Sequence, residues 1–146
     1  MQFEDNYVSN IPIDELWQSL VDPYYLGRLI PEIRTIDKTG EETYKIMSDF
    51  NLPGFSNGLT GILKISNLEF PKRFKADLSQ DAALGILSAK IDINLIQRTE
   101  NSTQVNYKIH VKMPLILKSV IGKKVKEMVQ ENAKHYFEKL ENHLKI

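Results

Sequence analysis

The stretch "IPIDELWQSLVDPYYLGRLIPEI", residues 11–33, sets two apolar segments of short-helix length on either side of Asp22-Pro23. In the first, Ile13, Leu16, Trp17, Leu20 and Val21 recur at the i, i+3, i+4, i+7, i+8 spacing of an amphipathic helix. Pro12 suits its first turn, and Asp14 and Glu15 favour its positive end. Asp22 can cap a second helix with Pro23 at its first position, and Pro31 disfavours helical backbone at Ile30. Two such fragments are too short to stand alone, so they must close over something.

What they close over follows them in the chain. From about residue 34 to residue 113, the turn clusters "DKTGEE", "NLPGFSNG", "FPKR", "SQDAALG" and "QRTENST" separate segments of strand length. The clearest is Thr103 to Met113, where Val105, Tyr107, Ile109, Val111 and Met113 alternate with Gln104, Asn106, Lys108, His110 and Lys112. Ile91, Ile93 and Leu95 alternate with Asp92 and Asn94, and Phe74, Ala76 and Leu78 with Lys75, Asp77 and Ser79. Consecutive strands with short connections and one apolar face imply an antiparallel sheet.

The chain ends in a long helical segment from about Pro114 to Leu144. Val125, Met128, Val129, Ala133, Tyr136, Phe137, Leu140 and Leu144 fall on one half of it, at about 100° per residue. Leu117, Val120 and Ile121 point roughly 100° or more away from that stripe, so the spacing predicts a kink at Gly122. One strand, two short helices, about six antiparallel strands and a closing helix define an α+β, helix-grip fold. Its curved antiparallel sheet carries two short N-terminal helices and a long C-terminal helix over a cavity, all in one domain spanning 1–146.

The composition narrows the function classes. Nineteen basic residues against nineteen acidic ones leave no net field to gather nucleic acid. Without cysteine there are no disulfides, thiolate nucleophiles or Cys-based zinc sites. "MQFEDNYVSN" lacks the layout of a secretory signal, and no run of about 18 apolar residues offers a membrane span. The expected setting is the cytoplasm. Asn101-Ser102-Thr103 matches a glycosylation sequon but reads as a hairpin turn.

Catalytic groups are scarce. His135 and His143 lie over 10 Å apart along a helix rising about 1.5 Å per residue, too far to share a metal. Glu131, His135 and Glu138 read as a solvated face, and His110 alternates away from Ile109 and Val111. Asp49, Asp92 and Lys64 fall on the wet side of their strands. No nucleophile elbow, phosphate loop or zinc-protease helix is present. No catalytic residue, metal or cofactor is expected.

The inward positions form a candidate ligand-binding set instead: Ile46, Ser48, Phe50, Phe55, Leu63, Ile65, Phe74, Ile91, Tyr107, Ile109, Val111 and Met128. Binding pockets have this apolar and aromatic composition with sparse polar groups, here Tyr44, Ser48 and Tyr107. A solid core has the same composition. Lys118, Lys123, Lys124 and Lys126 crowd the start of the last helix, where they can meet an anionic membrane surface or an acidic partner, or simply solubilise it. Leu52 and Phe55 in "NLPGFSNG" are apolar side chains that a solvated turn has little reason to hold, which predicts a ligand portal between that loop and Gly122.

Ile11-Pro12, Glu15-Leu16-Trp17, Asp22-Pro23 and Ile30-Pro31 together resemble the opening of the carbon monoxide dehydrogenase G-subunit family. That family lies within the START and birch-pollen-allergen-like (SRPBCC) ligand-binding superfamily. Glu32 departs from its pattern, which has glycine there. The resemblance implies non-catalytic binding or transport of a hydrophobic small molecule of the lipid, quinone or isoprenoid class. It also implies an accessory role for a molybdenum hydroxylase such as carbon monoxide dehydrogenase. A cyclase- or aromatase-like enzyme using the same cavity, and a protein-interaction module with a filled core, are the alternatives.

Overall fold

The alternating segments become strands in the computed structural model, which describes residues 1–49, 59–82 and 85–145. Among these residues the chain forms β1 (Gln2–Ser9), α1 (Ile13–Leu20), α2 (Tyr24–Leu29), β2 (Ile33–Gly40), β3 (Thr43–Ser48) and β4 (Leu59–Glu69). There follow β5 (Arg73–Ala82), β6 (Gly85–Thr99), β7 (Ser102–Lys112) and α3 (Leu115–Leu144). Phe50, Leu52 and Phe55, and with them the predicted portal loop, lie outside the described residues.

The strands pair antiparallel in the order β1-β7-β6-β5-β4-β3-β2. β1 thus joins the last strand, and α1 with α2 carries the chain from one sheet edge to the other. The register aligns Phe3, Ile109, Ile91, Ala76 and Ile65 as one inner-face row across five strands. Asn67, with a φ of 52°, marks a bulge in β4, a conformation asparagine tolerates better than most residues.

The two short helices dock by the apolar stripe that their sequence carries. Leu16 and Trp17 are buried, and the Trp17 ring meets the edge of Phe74 at 5.5 Å. The Asp22 carboxylate accepts the Tyr24 N–H at 3.0 Å, as its position before α2 predicts. α2 then reaches the end of α3, where the Tyr25 and His143 rings stand 5.5 Å apart. The Thr103 hydroxyl, fully buried, donates to the Ile11 carbonyl at 2.8 Å and ties the hairpin turn to the α1 corner.

α3 is one continuous helix through Gly122, the residue where the spacing predicts a kink. Leu117, Ile121, Val125, Val129, Ala133, Phe137 and Glu141, at intervals of four, are all buried or half-buried. Such a row is a ridge that drifts about 40° per step around the helix axis, and a helix lying obliquely over its support can bury it along its whole length. Leu117 and Ile121 are therefore inside, whereas Val120 is not. No helix among the described residues is long and apolar enough to cross a membrane.

Candidate functional site

The space between the sheet and α3 is packed unevenly. At one end, Trp17, Phe74, Leu95, Val105, Phe137 and Leu140 are buried, with Phe137 lying 5.1 Å from Tyr107 and 5.9 Å from Tyr7. At the other, Leu117, Ile121 and Val125 are buried, as is Val111. On the sheet Leu78 and Ala89 stand level with Val111, and Ile91 and Ile93 level with Ile109 and Tyr107; these four, with Leu87 at the far end of the same row and Met128, Val129 and Ala133 on the helix, are only half-buried. Inward apolar side chains of a solid core are normally fully buried, so these positions keep surface that such a core would cover.

Burial also raises the pKa of the Tyr136 phenol, well above the ordinary value of 10.0, although its ring keeps accessible surface. Tyr107 and Tyr44 are raised too, burial first in both, with Asp5 adding at Tyr107 and Glu42 at Tyr44. All three phenols are protonated near neutral pH and so are available as hydrogen-bond donors.

The predicted site residues divide accordingly. Ile46, Ser48, Leu63, Ile65, Phe74, Tyr107, Ile109 and Val111 are buried on the inner face, and Ile91 and Met128 are half-buried. Phe74 and Tyr107 are taken up by contacts with Trp17 and Phe137. Phe50 and Phe55 lie outside the described residues.

Gln80 is an inner-face residue that sequence reasoning missed. The alternation Phe74-Ala76-Leu78 continues to it, but "SQDAALG" reads as a turn cluster, whereas β5 runs on to Ala82. Gln80 is 9% exposed, and its Oε1 has no hydrogen-bond partner. An orphaned buried amide oxygen costs about 1–3 kcal/mol.

The polar residues expected outside are outside. Asp49 pairs with Arg34 at 2.8 Å, Asp92 with Lys75 at 3.8 Å, and His135 with Glu138 at 3.6 Å, all largely exposed. Among the described residues no three His, Asp or Glu side chains come together as a metal site. An open depression of about 1080 Å³ lies on the face of the sheet away from α3, among Glu4, Asp14, Lys72, Arg73, Asn94 and Lys108. Its charged, open lining suits water rather than an apolar ligand. A second, of about 720 Å³, lies beside the start of α3 and is lined by Met1, Ile86, Met113, Pro114 and Lys118.

A curved seven-stranded sheet gripping one long helix defines the START and birch-pollen-allergen-like architecture. The model of the carbon monoxide dehydrogenase G-subunit (CoxG) family matches residues 8–145, and the chain belongs to that family. Glu32 therefore does not remove it from the family. Among solved structures, a conserved protein from Geobacillus kaustophilus is 16% identical, with a TM-score of 0.86 over 99% of this chain and 95% of that one. A START superfamily protein from Mycobacterium smegmatis is 12% identical, with a TM-score of 0.67 over 99% and 97%. A norcoclaurine synthase point mutant from Thalictrum flavum, bound to a transition-state analogue, is 11% identical, with a TM-score of 0.71 over 100% and 96%. No curated protein shows significant sequence similarity to the chain.

Proposed function

We propose that the chain is a non-catalytic carrier of a hydrophobic small molecule of the lipid, quinone or isoprenoid class, held between the sheet and α3. The observation that carries this reading is the incomplete burial of the inward residues Leu87, Ala89, Ile91 and Ile93 on the sheet together with Met128, Val129 and Ala133 on the helix. Ile46, Ser48, Leu63, Ile65, Ile109 and Val111 would extend the wall around them, and Tyr107 and Phe74 would close one end. Family membership supports an accessory role, in the cytoplasm, for a molybdenum hydroxylase such as carbon monoxide dehydrogenase. One domain of residues 1–146 would do all of this.

The norcoclaurine synthase neighbour favours a second reading, an enzyme using the same space. The inner face argues for binding instead. Glu141 is the only buried acid among the described residues and is occupied in holding α3, and the inner tyrosines are protonated donors rather than bases.

Lys118, Lys123, Lys124 and Lys126 support contact with an anionic membrane from which such a ligand would be drawn. All four are exposed, and the same turns of α3 expose Leu115 and Ile116, at 83% and 64%. Apolar side chains held out among lysines suit a bilayer interface better than a purely solvated face.

Uptake of Nile red tests the binding reading. The parent should take up the dye, and Ile91→Trp, which enlarges a half-buried inward side chain, should reduce uptake at least about tenfold while the protein stays folded. A parent that takes up neither dye nor extracted lipid would establish the filled core.

A further inference from the structure

The unpartnered amide of Gln80 says something about the polar end of the ligand. In the sheet register Gln80 stands between Gly61 of β4 and Leu87 of β6, and Gly61 in turn faces Ile46 of β3. That inner-face row is apolar except for Gln80. The side chain is held over Gly61: a Cβ at residue 61 would stand 3.1 Å from Gln80 Cγ, 3.1 Å from its Nε2 and 3.2 Å from Leu78 Cδ1. Glycine makes room for the amide, whose other branch, Oε1, is left without a partner.

We infer that Gln80 is the polar anchor of the proposed ligand site, and that it selects a neutral apolar molecule carrying a hydroxyl. This rests on the reading of a hydrophobic ligand between sheet and helix. Oε1 accepts from an O–H, and a hydroxyl, being donor and acceptor at once, satisfies the amide in either of its two orientations. Neither an alkane nor an ionised acid does the same. The alkane leaves Oε1 orphaned, and a carboxylate offers it no donor. Among the described residues no lysine or arginine is buried, so an ionised carboxylate would also enter without a counter-charge.

Displacement of bound Nile red by decan-1-ol, decane and decanoate separates these cases. The ratio of alcohol to alkane affinity in the parent, divided by the same ratio in Gln80→Leu, cancels the alcohol's own cost of leaving water. It should be about five- to tenfold in favour of the parent, the value of one net hydrogen bond to a buried amide. Decanoate should displace dye less well than decan-1-ol in the parent. The Gln80 side-chain amide signals in a ¹⁵N spectrum should shift with decan-1-ol and stay in place with decane, a readout that holds even if the leucine variant does not fold. Equal ratios in two proteins that both take up dye, or amide signals indifferent to the alcohol, would overturn the assignment and leave the carrier reading intact. If the parent takes up no dye and none of the three compounds, the carrier reading falls and this inference falls with it.

Discussion

Tyr7 of β1 donates its hydroxyl to the carboxylate of Glu141, 134 residues later, and so fastens the first strand to the last turns of α3. Glu141 also accepts the Asn10 N–H at 2.7 Å and faces Lys145 Nζ at 3.2 Å. Burial alone would raise this carboxyl's pKa, but Tyr7, Asn10 and Lys145 outweigh it and hold the pKa below the ordinary 4.5. A lowered folded pKa means that this stabilisation is complete above the unfolded value and is lost as pH falls through the folded one. Tyr7 is shifted the other way, by burial first and then by Glu141, so its share fades as pH climbs above the ordinary 10.0. Urea denaturation of the parent and of Glu141→Gln should therefore differ by about 1–3 kcal/mol at pH 7, with the gap narrowing below about pH 4. A gap that stays constant down to pH 3 would show that the charge contributes nothing.

Ile91 and Ile109 are register partners on the inner face, yet the structure gives them different roles. Ile109 is buried at 7%, so tryptophan there should overpack the core and cost about 1–3 kcal/mol. Ile91 is half-buried, so tryptophan there should cost less than about 1 kcal/mol while blocking the dye. Thermal melts of the two variants check this directly. Equal destabilisation would mean that both positions face a filled core.

How legible the fold and site are from sequence depends on which contacts are local. The spacing of Leu16 and Trp17 and the alternation from Val105 to Val111 each fix a face by themselves, and both faces are buried as their spacing predicts. Gln80 escapes because serine, glutamine and aspartate in succession look like a turn, whereas pairing to Leu87 of β6 keeps them in a strand. The buried row of α3 is not legible from one average direction, because a ridge drifts around the axis and only the sheet beneath decides which row is buried. The Tyr7 to Glu141 contact joins the two ends of the chain, and no local pattern encodes it.

Gly122 is buried where α3 passes the chain start, with the nearest atoms to a Cβ being Lys118 Cγ at 3.2 Å and Met1 Cε at 3.8 Å. Both lie in flexible side chains that can yield a few tenths of an ångström. Gly122→Ala should therefore stabilise the protein by up to about 1 kcal/mol through helix propensity, without altering the path of an already continuous helix. Stopped-flow exchange of Nile red should be unchanged, since alanine leaves a continuous helix continuous. Slower exchange in Gly122→Ala would restore a gate at this residue.

Leu115 and Ile116 are 83% and 64% exposed at the start of α3, and Val120, one turn on, is 57% exposed. Lys118, Lys123, Lys124 and Lys126 stand around them, also exposed. Exposed leucine and isoleucine contribute little to the fold, so Leu115→Ser with Ile116→Ser should leave stability within about 0.5 kcal/mol. At a bilayer, burying both side chains is worth several-fold to a hundred-fold in affinity, at about 25 cal/mol per Å² of apolar surface. Lysines near an anionic surface add about 1 kcal/mol each and are screened by salt. Cosedimentation with phosphatidylserine-containing vesicles should then fall at least about fivefold in the double serine variant and in Lys123→Glu with Lys124→Glu, and raised salt should weaken the parent. Loss in the lysine variant alone would replace insertion by a purely electrostatic contact. Binding to neither anionic nor neutral vesicles would turn this end of α3 toward an acidic protein partner or a second copy of the chain.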